Sequence, residues 1–248
     1  MIDPAAIAKA RSALDSARAV TVLTGAGISA ESGIPTFRDA LTGLWSRFRP
    51  EDLATPEAFR RDPKTVWEWY AWRRERVAGV APNAGHTALA KMEMAVVARQ
   101  ARFTLVTQNV DGLHQAAGSR AVRELHGSIR RVKCFDQAHP AGTWDAGESP
   151  PRCTRCGSWL RPDVVWFGEA LPPGELEAAL GAAAGCDVFM SIGTSGLVEP
   201  AASLAFAALE QGATVIEVNP GRTPLTSHAT LVLHGAAGEV LPLLVDHQ

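Results

Sequence analysis

The stretch "TVLTGAGISAESGIPTFR", Thr21 to Arg38, decides the fold. It opens on an apolar run, breaks at Gly25, and then reads Gly25-Ala26-Gly27-Ile28-Ser29-Ala30. A strand followed by G-x-G-x-x-A is the pattern of a dinucleotide-binding turn. Glycines let the backbone come close to a pyrophosphate, and a helix N-terminus then offers N–H groups to the charge. The motif alone specifies little, because glycine turns after strands are common. Its continuation departs from an ordinary dehydrogenase. Pro35 interrupts any long helix, and Trp45 stands about twenty residues on, where an acid would hold the ribose. The loop is read as a nucleotide site used in some other way.

Working outward, four more apolar runs join "AVTVLTG" (Ala19–Gly25) as strands buried on both faces. They are "FTLVTQN" (Phe103–Asn109), "CDVFMSIG" (Cys186–Gly193), "ATVIEVN" (Ala213–Asn219) and "ATLVLHG" (Ala229–Gly235). Helical patterns fall between them at Pro4–Arg18, His86–Gln100, Gly174–Ala184 and Glu199–Gln211. Asp3 before Pro4 reads as an N-cap with proline at the first helical position. Alternating strand and helix predicts an α/β fold with a doubly wound, Rossmann-like parallel sheet. Two segments break the alternation. One is rich in Trp, Arg and Pro, with a helical core near Thr65–Val77; the other holds three of the four cysteines. The expected organisation is a nucleotide-binding domain from 1–40, 83–126 and 162–248. A smaller module follows from a helical insertion (41–82) and a zinc-ribbon-like insertion (127–161).

The totals exclude several function classes. The chain has 248 residues, 46% hydrophobic and 20% charged, with a formal net charge of −2. No global basicity calls for nucleic acid, and no apolar run is long enough to span a bilayer. The basic clusters at Arg60–Arg61, Arg73–Arg74–Arg76 and Arg130–Arg131–Lys133 read as solvated surface. The N-terminus lacks the pattern of a signal peptide, so the expected compartment is the cytoplasm. There, cysteines serve as metal ligands or core residues rather than disulfides.

Two C-x-x-C pairs 15–20 residues apart are a strong zinc signal. Here the second pair is intact (Cys153, Cys156), but the first reads Cys134-Phe-Asp-Gln137. Three outcomes stand open. Zinc is held by three cysteines plus His139 or Asp136, or it is held weakly with water completing the shell, or the module folds without metal. Cys186 begins a core strand and reads as a small buried hydrophobe.

Six motifs appear in order: "GAGISAESGIPTFR" (Gly25–Arg38), "TQNVDGLHQAAG" (Thr107–Gly118), "ELHG" (Glu124–Gly127), "RPDVVWFGE" (Arg161–Glu169), "GTS" (Gly193–Ser195) and "EVN" (Glu217–Asn219). Together they resemble the sirtuins, NAD-dependent protein lysine deacylases. The resemblance covers nearly the whole chain. It implies a general-base role for His126, with Asn109 and Asp111 completing the catalytic set. In the implied reaction, an acyl-lysine carbonyl oxygen attacks the nicotinamide ribose at C1′ and nicotinamide leaves. His126 then deprotonates a ribose hydroxyl, and the products are free lysine, nicotinamide and O-acyl-ADP-ribose. The implied NAD contacts are Gly25, Ala26, Gly27, Ile28, Phe37, Arg38, Gln108, Asn109, Val110, Asp111, Gly193, Thr194, Ser195, Asn219 and Ala237. Phe37 would shield the reactive carbon. "VVWFGE" reads blandly as an apolar strand with a glycine stop. The resemblance makes it an edge to which a substrate peptide adds, through Val165, Phe167 and Gly168. The partners implied are acylated-lysine proteins or peptides.

The only tyrosine of the chain, Tyr70, lies three residues before Arg73 in "WEWYAWRRE", on one face of a helix. By residue type alone these are packing and surface positions. Y-x-x-R at this place resembles the class III sirtuins, which prefer acidic acyl groups. Arginine grips a carboxylate with two parallel hydrogen bonds. Ala54 matches the small residue that leaves room for a longer acyl chain. The expectation is removal of succinyl or malonyl groups above acetyl groups. Two alternatives are an ADP-ribosyltransferase using the same site and an NAD-sensing module without turnover.

Overall fold

A computed structural model of the chain describes residues 2–34, 49–145 and 147–245. The chain begins with α1 (Pro4–Ser16), β1 (Ala19–Thr24) and one helical turn, α2 (Gly27–Ala30). It continues through α3 (Pro50–Leu53), α4 (Pro56–Arg61), α5 (Pro63–Ala78) and α6 (Ala84–Ala98). Next come β2 (Arg102–Thr107), α7 (Leu113–Ala116), β3 (Val122–Glu124), β4 (Gly127–Cys134), β5 (Pro140–Ala141) and β6 (Leu160–Val164). The last part holds α8 (Pro173–Ala184), β7 (Val188–Ile192), α9 (Ser203–Glu210), β8 (Thr214–Asn219), β9 (Leu231–His234) and α10 (Ala237–Val245).

Local chemistry sets the helix starts. Asp3 accepts from the Ala5 N–H at 2.9 Å with Pro4 inside the first turn, and Asp62 caps α5 in the same way, with Pro63 following. These prolines cost nothing there, because a first-turn N–H has no helical partner. Asn83 and His86 form a reciprocal capping box at α6. The helix expected from Glu199 begins instead at Ser203. Two elements escape the sequence patterns. β3 is three residues long and lies at the sheet edge, and α10 carries Pro242 in its interior.

The large sheet is parallel throughout, in the order β3-β2-β1-β7-β8-β9. All five expected strands are in it, so the predicted doubly wound architecture stands. Side chains alternate between two cores, as a twofold strand repeat requires. Val20, Val22, Met190, Ile192, Ile216 and Val218 face α1, α6 and α10. Leu23, Val106, Phe189 and Val215 face α8 and α9. The β1–β7 seam is where the winding reverses, and such a switch point opens a crevice at the strand tips.

Strand register then aligns the ends. Thr24 pairs with Thr107 on one side and Ile192 on the other, and Ile192 pairs with Val218. Gly25, Gln108, Gly193 and Asn219 are therefore the next residues along one row.

The smaller module joins an antiparallel sheet, in the order β5-β4-β6, to the helices α3–α5. One apolar cluster ties Phe59, Trp69 and Tyr70 from the helices to Ile129, Val164 and Trp166 beneath them. A second unites Trp67 with Val132, Cys134, Cys153 and Leu160. β6 spans the expected boundary at 161–162, and its pairing with β4 holds both flanks together.

The two loops after β1 and β7 meet with no side chain between them. The Gly27 N–H donates to the Gly193 carbonyl at 2.8 Å, and Gly25 N–H to Ile192 at 3.1 Å. A Cβ on Gly27 would lie 2.7 Å from the Gly193 oxygen, and one on Gly193 2.5 Å from the Ile28 nitrogen. Gly193 also has φ +59°, which costs a non-glycine residue about 1–2 kcal/mol before any clash. Gly193→Ala is expected to lower the unfolding free energy by more than about 2 kcal/mol, read in chemical denaturation. A change below about 0.5 kcal/mol would mean that the loops can separate freely.

Candidate active site

Beyond the β2 tip, Asn109 and Asp111 turn back under the glycine loop, both buried. Asn109 Nδ2 donates to the Gly25 carbonyl at 3.0 Å and to Ser29 Oγ at 3.1 Å. Ser29 Oγ in turn donates to Asp111 Oδ2 at 2.8 Å, and Asp111 Oδ1 accepts from the Leu113 N–H at 2.9 Å. This carboxylate is therefore held by a hydroxyl and a backbone N–H. Gly112 follows at φ +73°, and the lack of a Cβ there lets Arg130 Nε reach the Asp111 carbonyl at 2.9 Å.

A second row of polar groups lies beneath. Thr24 Oγ1 donates to Thr107 Oγ1 at 2.8 Å, and Thr107 Oγ1 also accepts the Asn109 N–H at 3.0 Å. His114 Nε2 lies 2.9 Å from Thr24 Oγ1. Because the Thr24 proton goes to Thr107, the His114 ring must supply the proton of that bond. Burial lowers the pKa of His114 to about 3 and that of His86 to about 4, so both rings are neutral near pH 7. Ser29, His86, His114, Thr24 and Thr107 were not among the residues expected from sequence to make up the site. They are buried polar groups whose role arises from contacts distant in the chain.

His126 occupies the short link between β3 and β4. Its Nδ1 lies 2.9 Å from the Gln108 carbonyl. A carbonyl only accepts, so Nδ1 carries the proton of the neutral ring and Nε2 keeps its lone pair. Burial pushes the pKa below the ordinary 6.5, partly offset by that hydrogen bond. The His126 carbonyl accepts the Val165 N–H at 2.9 Å, and Ala54 accepts the Phe167 N–H at 2.9 Å. The expected strand over "VVWFGE" ends early, since β6 stops at Val164. Val165, Trp166 and Phe167 continue as an irregular edge that turns at Gly168, with φ +83°. Trp166 points inward, 2% exposed, while Phe167 stands 48% exposed.

The remaining expected residues divide by location. Gln108 Nε2 donates to Thr194 Oγ1 at 3.1 Å, and Asn219 Nδ2 reaches the Thr194 carbonyl at 3.4 Å, so this row closes on itself. Ala26 and Ser195 are exposed on the rim, whereas Ile28 is buried below it. Val110 packs partly against the smaller module. Ala237 opens α10 and is buried against Gly85. Phe37 and Arg38 lie outside the described residues. The resulting crevice, formed by glycine loops, small residues and polar side chains, suits a dinucleotide.

Across the cleft, Tyr70 is 2% exposed and Ala54 3%. The Tyr70 hydroxyl accepts from Trp166 Nε1 at 3.0 Å. The Arg73 guanidinium is half-buried, 4.9 Å from the Trp69 ring centre and 5.5 Å from that of Tyr70. Burial lowers the Arg73 pKa, and a hydrogen bond to the Tyr70 hydroxyl acts the other way. The tyrosine and arginine of Y-x-x-R are thus in contact.

At the far end of the module the zinc question resolves onto one donor. Cys134, His139, Cys153 and Cys156 bring their ligand atoms within 4.8 Å of one another. Tetrahedral zinc, with Zn–S of about 2.3 Å, holds thiolates about 3.8 Å apart, so the donors fit its size and its N/S preference. The β4–β5 turn supplies His139, because the Cys134 N–H donates to the His139 carbonyl at 2.8 Å. Gln137 takes part through its backbone, its N–H reaching Cys134 Sγ at 3.4 Å. Burial works against ionising the Cys134 thiol, yet this donor and neighbouring groups bring its pKa to about 7. Cys186 lies apart in the core, donating to the Ala183 carbonyl.

Comparison with known proteins agrees over most of the chain. The Sir2 family model matches residues 25–200. The chain is 52% identical over 230 residues to the NAD-dependent protein deacylase of Aquifex aeolicus (strain VF5), covering 92% of this chain and 94% of that protein. It superimposes on the crystal structure of a Sir2 homolog–NAD complex with TM-score 0.88 and 48% identity, covering 96% and 92% of the two chains. Sir2Af2 bound to a myristoylated histone peptide gives TM-score 0.76 at 36% identity, covering 98% and 96%.

The cysteine–histidine cage yields a direct test. His139→Ala is expected to lower zinc content after dialysis and to reduce thermal stability, since a structural zinc contributes folding free energy. Gln137→Ala, which keeps the backbone N–H, should leave zinc content unchanged. Metal analysis with the reverse order, Gln137 mattering and His139 not, would reject the assignment.

Proposed function

Because the chain belongs to the Sir2 family, we propose that it works as an NAD-dependent protein lysine deacylase preferring succinyl and malonyl over acetyl groups. The single observation that carries the preference is the contact of half-buried Arg73 with buried Tyr70, in the apolar cluster that also holds Ala54. A succinyl or malonyl group ends in a carboxylate that arginine can hold with two hydrogen bonds, with a third from the phenol. An acetyl group ends in a methyl and leaves those donors without an anion. Sites built around hydrogen bonds discriminate strongly against substrates lacking the partner.

NAD, when bound, supplies an electrophilic ribose carbon with nicotinamide as leaving group. The residues that would hold it are the Gly25–Ile28 loop with Gly193–Ser195 at the phosphates, Gln108, Asn109 and Asp111 toward nicotinamide and its ribose, and Asn219 and Ala237 toward adenosine. Phe37 and Arg38 are proposed for the same site on sequence alone. Asn109 and Asp111 are fixed from behind by Ser29, so their positions are set before ligand arrives.

His126 serves as the general base. Its Nδ1–H is committed to Gln108, which leaves Nε2 to take a proton from a ribose hydroxyl. The lowered pKa keeps that lone pair available. The substrate peptide would lie along Val165, Phe167 and Gly168. The N–H groups of Val165, Trp166 and Phe167 are engaged within the protein. Pairing with a peptide would therefore use carbonyl oxygens of this edge and the Gly168 N–H. Recognition through backbone suits acylated lysines in varied sequence contexts. The assembled His126, Asn109 and Asp111 favour turnover over NAD sensing alone.

Arg73→Met is expected to lower succinyl-lysine kcat/KM by roughly 10- to 100-fold, the scale of lost hydrogen bonds to a charged group. Acetyl-lysine turnover should fall far less. Equal losses on matched peptides, followed by mass spectrometry, would return the pair to a packing role.

The pH profile gives a second check. Protonation of Nε2 removes the base, so activity falls as pH drops through the His126 pKa. With that pKa below 6.5, the acid limb of kcat/KM should lie below 6.5. His126→Ala should cost at least roughly 100-fold and abolish that limb. An acid limb above 6.5 in the wild-type enzyme would contradict the buried, neutral base.

A further inference from the structure

Tyr70 is read above as one arm of a carboxylate grip, but a phenol can also accept, and an acceptor would repel an anion. What decides its polarity is the hidden face of the peptide edge. Val165 and Phe167 flank Trp166, whose indole points the other way, into the smaller module. There Nε1 donates to the Tyr70 hydroxyl at 3.0 Å. The Arg73 guanidinium lies over the Tyr70 ring, its carbon 5.5 Å from the ring centre. A phenol oxygen has two acceptor positions and one proton to give. With the indole N–H on one acceptor position, the phenol's own proton is directed away from the indole and is left to donate.

The indole is itself held in place. The Arg161 guanidinium carbon lies 3.3 Å from the centre of the Trp166 ring, and Arg161 is 3% exposed. Glu169 clasps Arg161 through both carboxylate oxygens, with the second at 2.9 Å, and that same oxygen accepts the Trp166 N–H at 2.8 Å. Arg161 Nη2 also donates to the Val164 carbonyl at 2.8 Å. Backbone, ring and ion pair thus fix the indole from three directions.

We propose that Trp166 is a specificity-positioning residue: it keeps the Tyr70 hydroxyl a donor, so that the acyl site takes a terminal carboxylate in preference to a neutral end. This inference rests on the reading of Tyr70 and Arg73 given above. Trp166 does not touch the acyl group; it acts through Tyr70.

The test uses Trp166→Phe, which keeps an aromatic ring under Arg161 and removes the N–H together with part of the indole. Steady-state kinetics on succinyl- and acetyl-lysine versions of one peptide, at saturating NAD, give the selectivity ratio. The expected result is a succinyl/acetyl ratio reduced roughly 3- to 10-fold, the scale of one hydrogen bond, mainly through succinyl KM. Tyr70→Phe and the double variant complete a cycle. If Trp166 acts through the hydroxyl, adding Trp166→Phe to Tyr70→Phe should change the ratio no further. Additive losses in the double variant, or an unchanged ratio in the single one, would overturn the proposal. A thermal melt on each variant separates misfolding, which lowers both substrates together, and an equal fall also counts against it. Were the wild-type enzyme to show no succinyl preference, the Tyr70–Arg73 reading would fail first and this inference with it. A preference lost in Arg73→Met but kept in Trp166→Phe would reject the inference alone.

Discussion

The structure depends on the direct contact of backbone with backbone where the β1 and β7 loops cross. Gly25, Gly27 and Gly193 leave no side chain at this junction, and Gly193 adopts a conformation that glycine alone takes without cost. Parallel register brings the two strand tips level, and the glycines let the loops beyond them touch. Asn109 then bonds the Gly25 carbonyl from the β2 side. Three strand ends are locked to one another by these contacts. A crevice floor made in this way is held by backbone hydrogen bonds and carries little side-chain bulk.

Beneath that floor the protein buries many polar groups without charging them. His86 and His114 stay neutral through burial, and Thr24, Thr107 and Ser29 pass hydrogen bonds along to Asn109 and Asp111. A buried polar group is costly only when unpaired, so a connected network is tolerated and also stiffens the site. The smaller module applies the same logic to a buried ion pair. Arg161 and Glu169 bond one another, and Glu169 also holds the Trp166 N–H, while Arg161 Nε has no hydrogen-bond partner among the described residues. Such a pair contributes more to holding one geometry than to net stability.

How far the sequence could be read follows from which forces are local. Five strands were legible because burial on both faces leaves continuous apolar runs, and the glycine loop because its residues are contiguous. β3 was not, since three residues at an edge carry no periodicity, and Pro242 disguised α10. Of the residues carried over from sequence motifs, Gly25, Gln108, Gly193 and Asn219 sit at the strand tips, while Phe37 and Arg38 lie outside the described residues. Those missed were set by distant contacts: Ser29 and His114 by partners some eighty to ninety residues away, and Trp166 by a tyrosine 96 positions earlier. The zinc pattern was half legible. Spacing showed that position 137 had lost its thiol, but only the β4–β5 turn identifies His139 as the remaining donor. Gln137 keeps the backbone share of that position's role, which no residue count reveals.

His126 shows why the two sheets must be joined where they are. The parallel sheet ends with β3 at Glu124 and the antiparallel one begins with β4 at Gly127, so the imidazole stands in the link between them. Gly127, at φ +74°, lets the Asp163 carbonyl come where a Cβ would sit 2.2 Å away, which turns the chain sharply. The ring is tied to the first sheet through Gln108, and its own carbonyl to the peptide edge through Val165. One residue therefore takes its position from the nucleotide side and the peptide side at once. Any shift of the smaller module against the large sheet moves the imidazole relative to both. Arg130, reaching from β4 to the Asp111 carbonyl, opposes that shift. The position of this imidazole is a property of the joint rather than of either unit.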